Sequence, residues 1–294
     1  MQAIAHVVGI HRYPVKSMGG EALPRCRVGP GGLAGDRVWA VCDAAGEIRS
    51  ARQWPRLLEF TARFAGGGEC APGVTGSAVP EVLVRCPDGT ELASRTPESD
   101  AGLGAALGRQ CTLEPLRAAS EREFYRHRRQ LELAEVERDL NRLPDEGELD
   151  FSQTPGDMLL VMAEYMTPPG TFFDIFPLHL LSTQALVHLG ASRGVDARVE
   201  RFRPNLVLEF VDPAQPVPEF ALVGRELRIG ALTVRPRGRT IRCAIPSRAQ
   251  PQLGLAAEPP MTRAIVELLA RHLGIYATVE GEAVLQVGDP VYLV

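Results

Sequence analysis

Near the end of the chain, residues 240–248 read TIRCAIPSR, with Cys243 directly after Arg242. A thiolate is both a nucleophile and a soft metal ligand, and neighbouring cations favour it over the thiol. Three further clusters set a cation beside hydroxyl or amide donors at bends that contain proline. They are Tyr13-Pro14-Val15-Lys16-Ser17, Ser50-Ala51-Arg52-Gln53-Trp54-Pro55 and Arg201-Phe202-Arg203-Pro204-Asn205. Arginine offers a planar fork of donors suited to phosphate and flat heterocycles, and lysine a compact charge. Any one such cluster is more often a solvated surface. Converging, they would suit an anionic, phosphorylated ligand rich in hydrogen-bonding groups.

The other cysteines, Cys26, Cys42, Cys70, Cys86 and Cys111, form no CxxC pair and no Cys/His cluster with zinc spacing. Cys42 and Cys86 fall within strand patterns and read as small buried hydrophobes. Cys243 therefore either shares a metal with a ligand that brings its own donors, or acts as a nucleophile. Its soft thiolate favours soft or high-valent metals over magnesium or calcium. There is no GxSxG and no protease signature around any cysteine. His179, in PLHLLS, reads as a helix-entry or core histidine rather than a general base.

These residues need a scaffold to position them. The 294 residues suffice for one large or two ordinary domains. A net charge of −4 leaves no electrostatic footprint for nucleic acid or an anionic membrane surface. No apolar run approaches the roughly 20 residues of a membrane span, and the N-terminus lacks a basic-then-apolar leader, so a cytoplasmic protein is expected.

The first hundred residues read as short strands separated by turns at Asp43–Gly46 and Pro87-Asp88-Gly89. GPGGLAGD opens no helix and lacks GK[ST], so it reads as a turn rather than a phosphate loop. Leu133, Val136, Leu140 and Leu143 predict an amphipathic helix ending before Pro144. Its basic run Arg126-His127-Arg128-Arg129 is answered by Glu132, Glu135, Glu137 and Asp139, which is a solvated face and not a nucleic-acid site. Residues 154–170 read as a loop. PLHLLSTQALVHLG predicts a strand turning into a helix with Ser182 as N-cap. Strands follow at NLVLEFV, ELRIGALTVRPR and TIRCAI. A helix over MTRAIVELLARHLG is opened by Pro259-Pro260 and stopped at Gly274. The fold class is mainly β with a few helices (α+β). The expected organisation is a barrel-like domain over 1–115, a charged helical insertion over 116–150 and a second domain over 151–294.

In order and spacing, YPVKS, GLAGDRVWAV, SARQWPRL, PLHLLSTQAL, RFRPNLVLE, the RC of TIRCAIP and VGDPVYL resemble the MOSC family, named for the C-terminal domain of molybdenum cofactor sulfurase. Within it, they resemble the branch of amidoxime-reducing components and their bacterial relatives, over nearly the whole chain. The resemblance implies an N-terminal β-barrel-like domain joined to a MOSC β-barrel domain, with a cofactor cleft between them. It implies that Cys243 ligates molybdenum, and that Lys16, Ser17, Arg52, Ser182, Arg203, Asn205 and Arg242 hold the pterin and phosphate of the molybdenum cofactor. The implied activity is reduction of small N-oxygenated compounds such as amidoximes and hydroxylamines. Electrons would come from a separate flavin or iron–sulfur protein, because no cysteine-bearing ferredoxin-like extension follows VGDPVYLV. Pyridoxal phosphate is not expected, since no desulfurase domain accompanies the motifs. The alternative is a carrier, delivering the cofactor or holding sulfur as a Cys243 persulfide. Two stretches depart from the branch: AIPSRAQPQLG replaces VDPxTG after the cysteine, and the charged segment near 120–142 is an insertion relative to shorter members.

Overall fold

A computed structural model describes residues 2–67, 70–71 and 73–294 of the chain. The chain opens with β1 (Ala3–Arg12), then β2 (Glu21–Ala22), β3 (Arg25–Gly29), β4 (Gly32–Leu33) and β5 (Trp39–Asp43). β6 (Thr61–Phe64), β7 (Val82–Arg85), β8 (Glu91–Ala93), α1 (Pro97–Leu107) and β9 (Cys111–Pro115) follow. Three short helices come next: α2 (Arg122–Tyr125), α3 (Leu133–Asp139) and α4 (Gly156–Glu164). The remainder is β10 (Leu178–Ser182), α5 (Thr183–Arg193), β11 (Leu206–Phe210), β12 (Leu227–Ile229) and β13 (Leu232–Ile241), then α6 (Pro260–Leu269), β14 (His272–Glu280), β15 (Ala283–Gln286) and β16 (Pro290–Leu293).

Seven strands close into a barrel in the order β11-β10-β14-β13-β12-β16-β1, with β1 returning to β11 and β2 hanging from its edge. β10 runs parallel to β11, while β13 and β14 form the longest antiparallel pair. Strand alternation supplies the core: LTVRPRGRTI in β13 alternates buried and part-exposed residues along its length. Its inward Leu232 and Val234 pack with Val7, Leu227 and Ile275. Closure leaves no unpaired edge to template aggregation. The second body comprises the β5–β9 pair, the β6-β7-β8 sheet and α1 around Trp39, Leu57, Phe60, Val82 and Leu103. Both predicted turns form, with Gly46 N donating to Asp43 O and Gly89 N to Cys86 O. Among the described residues, no helix is long and apolar enough to cross a membrane.

Five features differ from the sequence reading. First, a strand from before residue 115 joins a barrel whose other strands come from beyond residue 150. β1 belongs to it, with Ala5 opposite Phe210 and Val7 opposite Leu208, because the inward side chains Ala5, Val7 and Ile10 complete its core. Second, the single charged helix is two short ones. Residues after Tyr125 are held extended, with His127 N donating to Glu164 O and Met166 N to Tyr125 O, so helix resumes only where the apolar spacing begins at Leu133. Third, the loop expected over 154–170 contains α4. Fourth, α6 stops at Leu269, where Ala270 and Arg271 take left-handed φ of 47° and 68°. Gly274 lies instead inside β14. Fifth, β13 ends at Ile241, so Cys243 stands in irregular chain beyond the strand.

Candidate functional site

A cavity of about 250 Å³ lies where the barrel, the second body and the connector over 116–168 meet. Seven of the eight residues singled out in the sequence line it: Lys16, Ser17, Arg52, Arg203, Asn205, Arg242 and Cys243. Ser182 does not. It is fully buried at the start of α5, where its hydroxyl accepts from Ala185 N at 3.0 Å and donates to Glu219 Oε2 at 2.5 Å. Its predicted capping role is met, and its oxygen is engaged on both sides within the core, away from the cavity.

The YPVKS bend delivers the first cation. Lys16 Nζ, almost wholly buried, donates to Phe172 O at 2.8 Å and to Asp174 Oδ1 at 2.7 Å. Burial lowers its pKa, and Asp174 opposes that effect. Ser17 takes a left-handed φ of 70°, and its Oγ accepts from Ala51 N at 2.9 Å, tying the bend to the SARQW turn. Arg52 Nη2 then reaches the same Asp174 Oδ1 at 3.2 Å. Burial alone would raise the Asp174 pKa, but Lys16, Arg52 and Arg37 outweigh it and hold this carboxyl far below the usual range.

A second group of cations comes from the far side. Arg203, at φ 55°, donates Nη1 to Met18 O at 2.7 Å and stacks 4.2 Å over the Tyr13 ring. Burial pushes its pKa down to about 10. Arg242 Nη2 donates to Phe202 O at 3.0 Å, and its pKa is also lowered by burial. Among the described residues, three buried guanidinium nitrogens have no hydrogen-bond partner in the protein: Arg203 Nη2 and Arg242 Nε, from cavity-lining residues, and Arg201 Nε, from outside the cavity. Buried donors without partners cost roughly 1–3 kcal/mol each. Asn205, by contrast, is used by the scaffold: Oδ1 accepts from His179 N at 3.1 Å, and Nδ2 donates to His11 O at 3.4 Å.

Four cavity residues were missed as site residues in the sequence. Arg37, from GLAGDR, has φ 49° and pairs with Asp36. Asp174 was given no role, although it joins Lys16 to Arg52. His179 was assigned to the core or a helix entry; its Nε2 lies 3.5 Å from Arg242 Nη1 on the cavity wall. Burial, with Arg242 and Arg37, drives its pKa well below 6.5, so it is neutral at pH 7. Tyr276 also lines the cavity, and desolvation raises its pKa so that the phenol keeps its proton. Ser17, Arg37 and Arg203 are all non-glycine residues in the left-handed region, where each costs about a kcal/mol or more. Such strain at one cavity was a signal only coordinates could supply.

Cys243 is half-buried on the same wall, at the edge of the second body's core. No cluster of three or more His, Cys, Asp or Glu among the described residues could hold a metal ion there.

A closed barrel, a companion body and a cation-lined cavity between them, with Cys243 in its wall, define a two-body β protein with a polar cleft. Residues 4–108 match the MOSC N-terminal beta barrel domain, and residues 169–292 match the MOSC domain. The chain belongs to the MOSC family. It is 25% identical to mitochondrial amidoxime reducing component 2 of Homo sapiens, over 99% of this chain and 84% of that protein. Among solved structures, the YUAD protein from Bacillus subtilis is similar over 98% of this chain and 93% of its own, at 12% identity and a TM-score of 0.45. YiiM from Geobacillus stearothermophilus is similar over 40% of this chain and 54% of its own, at 19% identity and a TM-score of 0.31.

Proposed function

We propose that this chain binds the molybdenum cofactor in the cavity, with Cys243 at the metal, and reduces N-oxygenated compounds. The observation that carries the reading is one half-buried thiol in the wall of a cavity that Lys16, Arg52, Arg203 and Arg242 also line. Four cations on one cavity fit a phosphorylated heterocycle, whose oxygens and ring nitrogens accept hydrogen bonds.

When bound, the cofactor supplies a redox metal that can pass two electrons to an N–O bond. The overall change is R₂N–OH + 2 e⁻ + 2 H⁺ → R₂N–H + H₂O. Lys16 and Arg52 would face the phosphate, sharing it with or releasing Asp174. Arg203 and Arg242 would reach the pterin side, with Ser17 and Asn205 fixing the two bends. His179 stays neutral and accepts at Nε2, which keeps Arg242 aimed into the cavity. Tyr276 offers a protonated hydroxyl as a hydrogen-bond donor. Electrons would come from a separate flavin or iron–sulfur protein.

Metal and pterin analysis of purified protein, beside a Cys243→Ala variant, tests the assignment. Molybdenum in the wild type and its loss in the variant are expected; full occupancy in the variant would count against it. Reduction of an amidoxime by the loaded protein with a reduced dye is the second arm. Bound molybdenum without turnover on any N–O compound would favour the carrier role instead.

A further inference from the structure

We infer that the connector over 116–168 forms the substrate-side wall of the cavity and selects N-oxygenated compounds with an apolar body over small hydrophilic ones; this rests on the functional reading above. The connector lies between the two matched segments, which end at 108 and resume at 169. It nevertheless supplies a large share of the cavity lining, including Leu131, Val136, Phe151, Met162 and Met166.

None of these five is buried; each is partly or fully exposed. An apolar side chain left open to a cavity is unsatisfied surface, and a ligand that covers it gains the hydrophobic contribution. Methionine is unbranched and polarizable, so Met162 and Met166 can adapt to differently shaped bodies. Met166 is at the same time steadied, its Sδ accepting from Ile48 N at 3.2 Å.

Several polar groups on this wall are already engaged. Arg129 and Arg138 both pair with Glu135. Asp139 accepts from the Gln53 side chain, and the His127 ring lies 3.3 Å from Met162 O. A small hydrophilic substrate would find few free partners here. The wall is also fixed against the reacting centre: Asp139 O accepts from Ala244 N at 3.4 Å, one residue past Cys243, and Leu140 O accepts from the buried Arg271 Nη1 at 2.6 Å. Val136, one turn earlier on α3, is thereby held close to the cysteine segment.

Calorimetric binding of benzamidoxime and acetamidoxime to the oxidised protein, with no electron donor present, tests the wall directly. Benzamidoxime should bind about tenfold or more tightly than acetamidoxime, the scale of added apolar contact in a pocket. Met162→Glu should bring the ratio close to one, and Met162→Leu, which conserves volume, should preserve it. Val136→Thr, nearly isosteric, should lower it if Met162→Glu fails to fold. Equal binding of the two compounds by the wild type overturns the inference, as does an unchanged ratio in the polar variants. Molybdenum analysis of the same samples judges the functional reading separately, because the binding ratio decides the wall whatever the metal content.

Discussion

Replacing Arg203 with methionine separates a residue kept for its ligand from one kept for its fold. The side chain is buried, with only 7% exposure. Burial lowers its pKa from 12.5 to about 10, and at about 1.4 kcal/mol per unit the folded state holds this charge at a disadvantage of roughly 3 kcal/mol. Two contacts oppose that. The bond to Met18 O contributes about 1.5–3 kcal/mol as a hydrogen bond to a charged group. The stack over Tyr13 adds about 0.5–2 kcal/mol. These nearly cancel the burial cost. Methionine keeps the volume, and the left-handed φ of 55° strains either residue alike. Arg203→Met relieves the buried charge but leaves Met18 O without its donor, so the urea stability of cofactor-free protein should fall by about 1–3 kcal/mol, short of the 3–5 kcal/mol typical of breaking a buried ion pair. Its cofactor content, by contrast, should fall about tenfold or more, the scale of a lost charge-assisted hydrogen bond. A loss above about 3 kcal/mol, with cofactor content unchanged, would refute the reasoning and make Arg203 a structural residue.

Arg201, still more deeply buried, should behave oppositely. Its guanidinium gathers Pro246 O, Arg248 O and Ala256 O and pairs with Asp196, so Arg201→Met should cost about 3–5 kcal/mol in chemical denaturation and loosen the turn that follows Cys243. At Gly274, with φ +78°, an added Cβ would stand 2.4 Å from His179 Nε2 and 2.8 Å from Leu180 O. Gly274→Ala should therefore lower the melting temperature and displace His179 from Arg242, visible as a shifted imidazole resonance. Finally, His179 and His272 are held neutral chiefly by burial, with folded pKa values below 6.5. Below pH 6.5 the unfolded chain binds protons that the folded chain refuses. Stability should accordingly fall on acidification from pH 6.5, by up to about 1.4 kcal/mol per pH unit for each histidine. A flat urea midpoint between pH 7 and 5 would contradict this.

Much of this molecule is written in local patterns. Proline bends, the Asp43–Gly46 and Pro87–Gly89 turns, the alternation of β13 and the serine that caps α5 each depend on neighbours a few residues away. The lone Cys243 and the Lys16, Arg52 and Arg203 clusters were legible for the same reason, as residue types whose chemistry is intrinsic. What stayed hidden was long-range. Nothing near β1 says that Ala5 will face Phe210, because barrel closure is decided by total inward volume and register. That Ser182 would bond Glu219, 37 residues away, was equally invisible. Asp174, His179 and Tyr276 became site residues only when folding brought them to one cavity with Lys16, Arg52 and Arg242. Sequence determined which groups could do chemistry; tertiary structure decided which of them meet, because desolvation and charge pairing act through space and not along the chain.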